Sequence, residues 1–209
     1  TINLAAVAAF CIVVASPALV SSSCATPKTE QEDTTIIRED SGITALKYSS
    51  PEVPASIEFC GKTIDLSRFD RHERMDRELL AFTYMHSTSL QMLKKANRYF
   101  PIVEPILKEN GIPDDFKYLM VIESNMNPTA RSSAGAAGLW QFMQGTGRDY
   151  GLEVNNNVDE RYHIEKATRA ACRYLKDAYA KYKDWVAVAA SYNAGQARIA
   201  SQLAKQDVD

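Results

Sequence analysis

The 209-residue sequence has no basic excess: 24 Lys and Arg stand against 26 Asp and Glu, a formal net charge of −2. A nucleic-acid partner would want a clear positive surplus, so that class is excluded. Histidine is scarce, and His72, His86 and His163 show no metal-ligand spacing, so no metal is expected. No internal repeat is visible, and no convincing alternating pattern follows Leu66. That argues against a β-rich body. Charge itself is missing from residues 1–27. Within them residues 4–20 form an apolar run, broken by Ser16 and Pro17, that is short for a membrane span and suits a secretory signal core. The basic start of such a signal is absent, as is an initiator Met, so the expectation is that a few residues precede Thr1.

Two ends of the signal stay open. Ser21-Ser22-Ser23-Cys24 resembles a relaxed lipoprotein box, with Ser21 where a Leu is usual, and would make Cys24 a lipidated N-terminus. Ser23-Cys24-Ala25 also satisfies an ordinary small-x-small cleavage site. The lipoprotein form is preferred, and either end makes the protein exported. Beyond Cys11 and Cys24, Cys60 and Cys172 remain, and an oxidising compartment would permit a bridge between them. The simpler reading, preferred here, makes Cys172 a small buried hydrophobe in an apolar helix. Residues 25–66 hold Ser, Thr, Pro and scattered charge without a period, which suggests a tether ending in a small ordered extension. Residues 57–66 could form a strand or two there.

With 45% hydrophobic and 9% aromatic residues, the rest has an ordinary globular composition. Residues 68–86 carry an apolar stripe at Met75, Leu79, Phe82 and Met85 or His86, and residues 89–99 continue with Leu90, Leu93 and Ala96. Pro101 is expected to open a third helix, with Pro105 in its first turn and Gly111 at its C′ position. Pro113 then starts another, with Asp114 and Asp115 in the first turn where the dipole favours them. Residues 131–138 read as a small-residue loop and residues 139–143 as a short helical turn. A short segment around residues 148–150 and a polar turn over 155–159 lead to a long helix over 163–182. The Ala-rich stretch 185–192, almost without charge, is expected to be the central buried helix, broken by Asn193-Ala194-Gly195. The class is mainly α.

One carboxylate stands out. Stepping back from Glu123 at helical spacing gives Met120, Leu119 and Phe116, so the carboxyl emerges from the apolar face of its helix. Pro128 follows closely, so that helix should end near Ser124, with Glu123 facing the negative end of the dipole. Both effects favour the protonated form, and an acid still protonated near neutral pH can serve as a general acid. A buried Glu satisfied by an Arg or a backbone amide would serve only the fold. No second carboxylate is evident beside it. Asp115 lies about 12 Å upstream along the helix, and Asp159 and Glu160 could approach only through the fold.

Several blocks together resemble lytic transglycosylases, the soluble-transglycosylase, goose-lysozyme-like family of bacterial cell-wall enzymes. They are Ile122-Glu123-Ser124, Ser133 with Gly135 through Met143, and Ser191-Tyr192-Asn193-Ala194-Gly195. Tyr99-Phe100-Pro101, Asp114 through Leu119, and Asp159-Glu160-Arg161-Tyr162 look like the membrane-bound type D branch. The resemblance covers roughly residues 68–200 and implies a lysozyme-like helical fold with a glycan cleft. It implies that Glu123 is the catalytic acid/base, and that Ser124, Gln141, Tyr192 and Asn193 line the cleft and hold acetamido sugars or orient the acid. Met143 and Trp140 match positions beside the cleft or supporting it. Trp140 and Phe142 could equally be core, and Asn193-Ala194-Gly195 only a helix cap.

By the same resemblance, peptidoglycan glycan strands are the partner and no metal or organic cofactor is required. The nucleophile comes from the substrate, so one carboxylate suffices where ordinary glycosidases need two. The family's Glu-Thr-x-x-Tyr-Val block is not reached before Asp209, which suggests truncation at the C-terminus. The expected organisation is a signal at 1–24, a tether with small extension at 25–66, an N-terminal helical extension at 67–112 and the transglycosylase domain at 113–209. No exposed self-association face is visible, and a monomer is expected. A hydrolase on the same fold, or a silent glycan-binding module, are the rival readings. The latter would have no need of the acid.

Overall fold

The computed structural model describes residues 51–205. The proposed signal, Cys24 and most of the tether lie outside the described residues. The first element is a hairpin of β1 (Ser56–Phe59) and β2 (Lys62–Asp65), antiparallel with Phe59 opposite Lys62. Its two-residue turn, Cys60-Gly61, has positive φ at both positions (50° and 77°), the geometry that matches strand twist in tight hairpins. Strand alternation sends Ile57 and Phe59 to the buried face.

Seven α-helices follow among the described residues, α1 (Phe69–Tyr84) and α2 (His86–Glu109) first. Then come α3 (Lys117–Ser124), α4 (Gln144–Asp149), α5 (Ile164–Tyr182), α6 (Trp185–Ala194) and α7 (Gln196–Lys205). A 3-10 turn, Asp114–Phe116, leads into α3, and another, Glu160–Tyr162, precedes α5. The mainly α class read from the sequence is the class observed. Among the described residues no helix is long and apolar enough to cross a membrane.

Four local expectations need correction. Pro101 does not open a new helix: α2 runs unbroken from His86 through Pro101 and Pro105. Both prolines are exposed and sit one turn apart, so the carbonyls they leave unpaired lie on the solvent side. The buried stripe of Met92, Ala96, Tyr99, Val103 and Leu107 holds the helix together past them. Leu90, expected in the stripe, is exposed, and Ser89 takes the inward position.

Residues 139–143 are not a helical turn. Residues 138–141 form a tight non-helical turn, and Ala137 makes isolated bridges to Arg131 and Phe142 on either side of it. The Ala-rich α6 is not the central buried helix, for only Val188, Ala189 and Ser191 are buried on it. The shorter α3 is more enclosed, burying Tyr118, Leu119, Met120, Val121 and Ser124. Apolar residues all round a short helix carry no facing information, so periodicity could not decide which side was covered. The break expected at Asn193-Ala194-Gly195 is observed: Gly195, at φ 84°, ends α6, and the chain restarts at once as α7.

One apolar cluster runs through the molecule. Phe59 of the hairpin, the buried apolar residues of α2 from Met92 to Leu107 and of α3 from Tyr118 to Val121, and Leu175 and Ala178 of α5 all belong to it. A smaller cluster of Ile57, Leu66, Met75 and Leu79 joins the hairpin to α1. Cys60 and Cys172 are free thiols.

Candidate active site

Glu123 sits in the last turn of α3, after Phe116, Leu119 and Met120, all fully buried. The helix stops because Asn125 and Met126 turn left-handed (φ 49° and 54°) and donate their N–H groups to the Val121 and Met120 carbonyls. That stop leaves Glu123 half-buried at the helix end. Among the described residues no hydrogen bond or ion pair reaches its carboxyl, and burial alone raises its pKa to about 7.

Tyr192 of α6 feels the charge of Glu123. Burial first, then the Glu123 carboxyl and Tyr174, push its phenol well above the ordinary value, so it stays a neutral donor. Its hydroxyl donates to the Trp140 carbonyl at 2.7 Å. Trp140 is fully buried and its indole Nε1 donates to Thr168 Oγ1 at 3.0 Å. Edge contacts of Tyr192 with Tyr174 and of Tyr174 with Phe142 complete the support. The structure thus draws Glu123, Tyr192 and the 137–142 loop together from three distant parts of the chain.

The other expected site residues are placed less uniformly. Gln141 adopts φ 47°, and its Nε2 donates to the Gly138 carbonyl at 2.8 Å and to that of Ala130 at 3.3 Å. Ser124 is buried and turns its hydroxyl back onto the Met120 carbonyl at 2.9 Å, within its own helix. Asn193 is exposed on α6, and Met143 is 45% exposed at the N-cap of α4.

The remaining acids of this region are held elsewhere. Asp159 forms a forked pair with Arg161, at 2.9 and 2.7 Å, and that pairing holds its carboxyl below the usual range. Glu160 pairs with Lys166 and accepts from the Glu153 N–H. Asp115 accepts the Cys60 N–H at 2.7 Å, and Asp114 pairs with Lys117. Among the described residues no group of three or more His, Cys, Asp or Glu could hold a metal ion.

Sequence reasoning missed the part played by Arg161. Its buried guanidinium donates to the carbonyls of Gly135 (2.8 Å) and Phe142 (2.9 Å), tying down both ends of the loop that carries Gln141. Gly138 allows this closeness. A Cβ there would lie 1.9 Å from the Arg161 carbonyl oxygen, and its φ of 78° disfavours any side chain. The local signal was a small-residue loop with glycines at 135 and 138, because the partner that needs the space is remote in sequence.

Residues 101–208, just over half of the chain, match the family described as Transglycosylase SLT domain. The chain belongs to that family. The helical, lysozyme-like architecture is the family's fold. Over 128 residues the chain is 31% identical to the membrane-bound lytic murein transglycosylase D of Escherichia coli (strain K12), a match covering 61% of this chain and 27% of that protein. It is 33% identical over 93 residues to the peptidoglycan transglycosylase gp16 of Escherichia phage T7, covering 43% of this chain and 7% of the phage protein. A putative tributyltin chloride resistance protein of Alteromonas is 23% identical over 117 residues, 56% of each chain. The chain therefore spans about a quarter of the length of the transglycosylase D relative. Within the SLT match lie Glu123, Ser124, Gln141, Met143, Tyr192 and Asn193, while the hairpin, α1 and the first half of α2 precede it.

Proposed function

We propose that this chain cleaves the β-1,4 bond between N-acetylmuramic acid and N-acetylglucosamine in peptidoglycan without water, leaving 1,6-anhydromuramoyl ends. The observation that carries the proposal is one half-buried carboxyl, Glu123, raised to about 7 by burial, with the other acids of the region held by partners of their own. Such a group can give a proton and take one back at the same pH. Glu123 protonates the glycosidic oxygen and the bond to the muramoyl C1 breaks. The substrate's 2-acetamido oxygen stabilises the cationic C1. The muramoyl 6-hydroxyl oxygen then bonds to C1, displacing the acetamido oxygen, and Glu123 takes the hydroxyl proton. No water enters the products and the acid is regenerated.

Tyr192, whose hydroxyl proton is held by the Trp140 carbonyl and whose oxygen can still accept, and Asn193, Gln141 and Met143 are assigned to the sugars. Ser124, whose hydroxyl is engaged within α3, contributes by fixing the last turn that carries the acid. The domain lies at 113–209, preceded by the 67–112 extension, and works as an exported, periplasmic monomer with Cys24 as a lipid anchor and no cofactor. The names of the relatives, membrane-bound in one case and peptidoglycan-acting in another, support the envelope setting.

The test is digestion of purified peptidoglycan with the products resolved by mass spectrometry, wild type beside Glu123→Gln. Muropeptides one water lighter than hydrolysis products, lost in the variant, are expected. Reducing-end products would make the enzyme a hydrolase. No cleavage by a folded protein would leave a glycan-binding module.

A further inference from the structure

A concavity lies among residues other than those assigned to the candidate site. Asp149, Tyr150, Gly151, Arg173, Lys176 and Asp177 line a pocket of about 420 Å³, within the range that small ligands occupy. Its walls carry two cations and two anions. Arg173 and Asp177 lie four residues apart on α5, a spacing at which opposite charges readily pair. They do not pair. Arg173 Nε donates to the Tyr150 carbonyl at 3.1 Å, joined there by Nη2, while the negative charge of Asp177 adds to burial in raising the Tyr150 phenol. Lys176 Nζ reaches the Asn110 side-chain oxygen at 3.3 Å. Among the described residues none of Asp149, Arg173, Lys176 and Asp177 belongs to a salt bridge, although many surface charges of this chain do. Gly151 permits the arrangement, since a Cβ there would crowd the Arg173 guanidinium at 3.3 Å.

The pocket is also joined to the candidate site. Tyr150 meets Tyr174 at 5.3 Å between ring centroids, and Tyr174 meets Tyr192 at 5.2 Å. Two ring contacts therefore separate the pocket from the tyrosine beside Glu123. Three extended peptide residues bridge roughly 10 Å, a comparable distance. Fixed charges of both signs around one concavity suit neither a simple anion nor a simple cation. They suit a ligand carrying an ammonium and a carboxylate on one carbon.

We propose that this pocket binds the amino-acid zwitterion that an unlinked diamino acid presents on the stem peptide of the muramoyl residue undergoing cleavage. Arg173 and Lys176 face the carboxylate, and Asp149 and Asp177 the ammonium. The proposal rests on the peptidoglycan reading above, and it makes the enzyme prefer strands whose stems are not cross-linked.

The experiment has two arms. In the first, wild type and Lys176→Glu digest stem-bearing glycan strands and the same strands freed of stems by an amidase. Wild type is expected to show a KM roughly tenfold lower on stem-bearing strands, a preference lost in Lys176→Glu, with equal rates of the two proteins on bare strands. In the second arm, the free stem tripeptide ending in the unlinked diamino acid is titrated against wild type and followed by amide shifts at Gly151 and Arg173. The same tripeptide with its side-chain amine acetylated should bind at least tenfold more weakly, and Asp177→Lys should remove the difference. Cleavage without stem preference, together with no shift at Gly151, overturns the pocket and leaves the transglycosylase reading intact. Equal binding of the acetylated peptide overturns the zwitterion assignment. Tripeptide binding without cleavage of any strand overturns the reaction and keeps the pocket.

Discussion

A carboxyl group whose pKa is raised by burial alone ties stability to pH in one direction. Glu123 has an ordinary value of 4.5 and stands at about 7 in the folded chain. Between those values the folded state holds more proton than the unfolded one, so stability falls as pH rises through that window and levels off above it. The penalty at pH 8 is about 1–3 kcal/mol. Glu123→Gln removes the ionisable group, so the variant should be more stable than wild type by that amount at pH 8 and indistinguishable at pH 4, read by urea unfolding at each pH. An identical pH dependence in both proteins would show that the carboxyl is not desolvated. The cleavage rate should fall as pH rises above about 7, where the acid loses its proton before the bond breaks. Glu123 was legible because its causes are local: Phe116, Leu119 and Met120 lie within two turns and Pro128 is close by. Arg161 was not, because the carbonyls it holds, on Gly135 and Phe142, lie 26 and 19 residues away in sequence. For Ser124, only the fold could show its hydroxyl closing back on the Met120 carbonyl.

At the scale of elements, the hairpin does more than its position before the SLT match suggests. Phe59 is fully buried and its ring lies 6.3 Å from Phe116, whose own ring meets Trp185 at 5.3 Å. Phe116 immediately precedes α3 and Trp185 opens α6, so one strand residue braces the starts of both helices that carry the candidate site. Two polar ties reinforce it, Cys60 N–H to Asp115 at 2.7 Å and Lys62 to Asp184 at 2.9 Å, and Asp184 is the N-cap of α6. The Lys62 pair is exposed and contributes little, so the apolar contact dominates. Phe59→Ala should therefore destabilise the chain by about 3–4 kcal/mol, while Glu58→Ala, on the exposed strand face, should stay within about 0.5 kcal/mol. Equilibrium urea unfolding of the two variants decides this, and a small effect at Phe59 would mean that the hairpin rests loosely on the domain. A strand or two over residues 57–66 was expected from the sequence, but the docking partner was not, because Phe59 and Phe116 lie far apart in sequence. The unbroken α2 was misread for the opposite reason. Pro101 is a strong local signal, overridden by a buried stripe that continues on the other side of the helix.

For the whole molecule, these contacts bear on what constitutes the folding unit. The family match begins at residue 101, inside α2, yet the apolar cluster ignores that boundary. Met92, Ala96 and Tyr99 lie before it and are buried against the same cluster as Val103, Leu119 and Leu175. Helix α5 packs along α2 and ties its far end through Cys172, whose thiol lies 4.0 Å from the Ile106 carbonyl. A chain cut at residue 101 would keep Glu123 and every residue assigned to the sugars. It would lose the first half of α2 and the hairpin that braces α3 and α6. Burial of large apolar side chains contributes about 1.5–3 kcal/mol each, and removing Phe59, Met92 and Tyr99 together takes away an amount comparable to the net stability of an ordinary domain. A fragment of residues 101–205 should accordingly unfold without a cooperative transition, whereas residues 51–205 should show one sharp transition, coincident by far-ultraviolet and near-ultraviolet circular dichroism. If the shorter fragment instead unfolds cooperatively at a similar urea midpoint, the shared cluster is an accessory. The hairpin and the first half of α2 would then be a separable layer on a self-sufficient SLT domain.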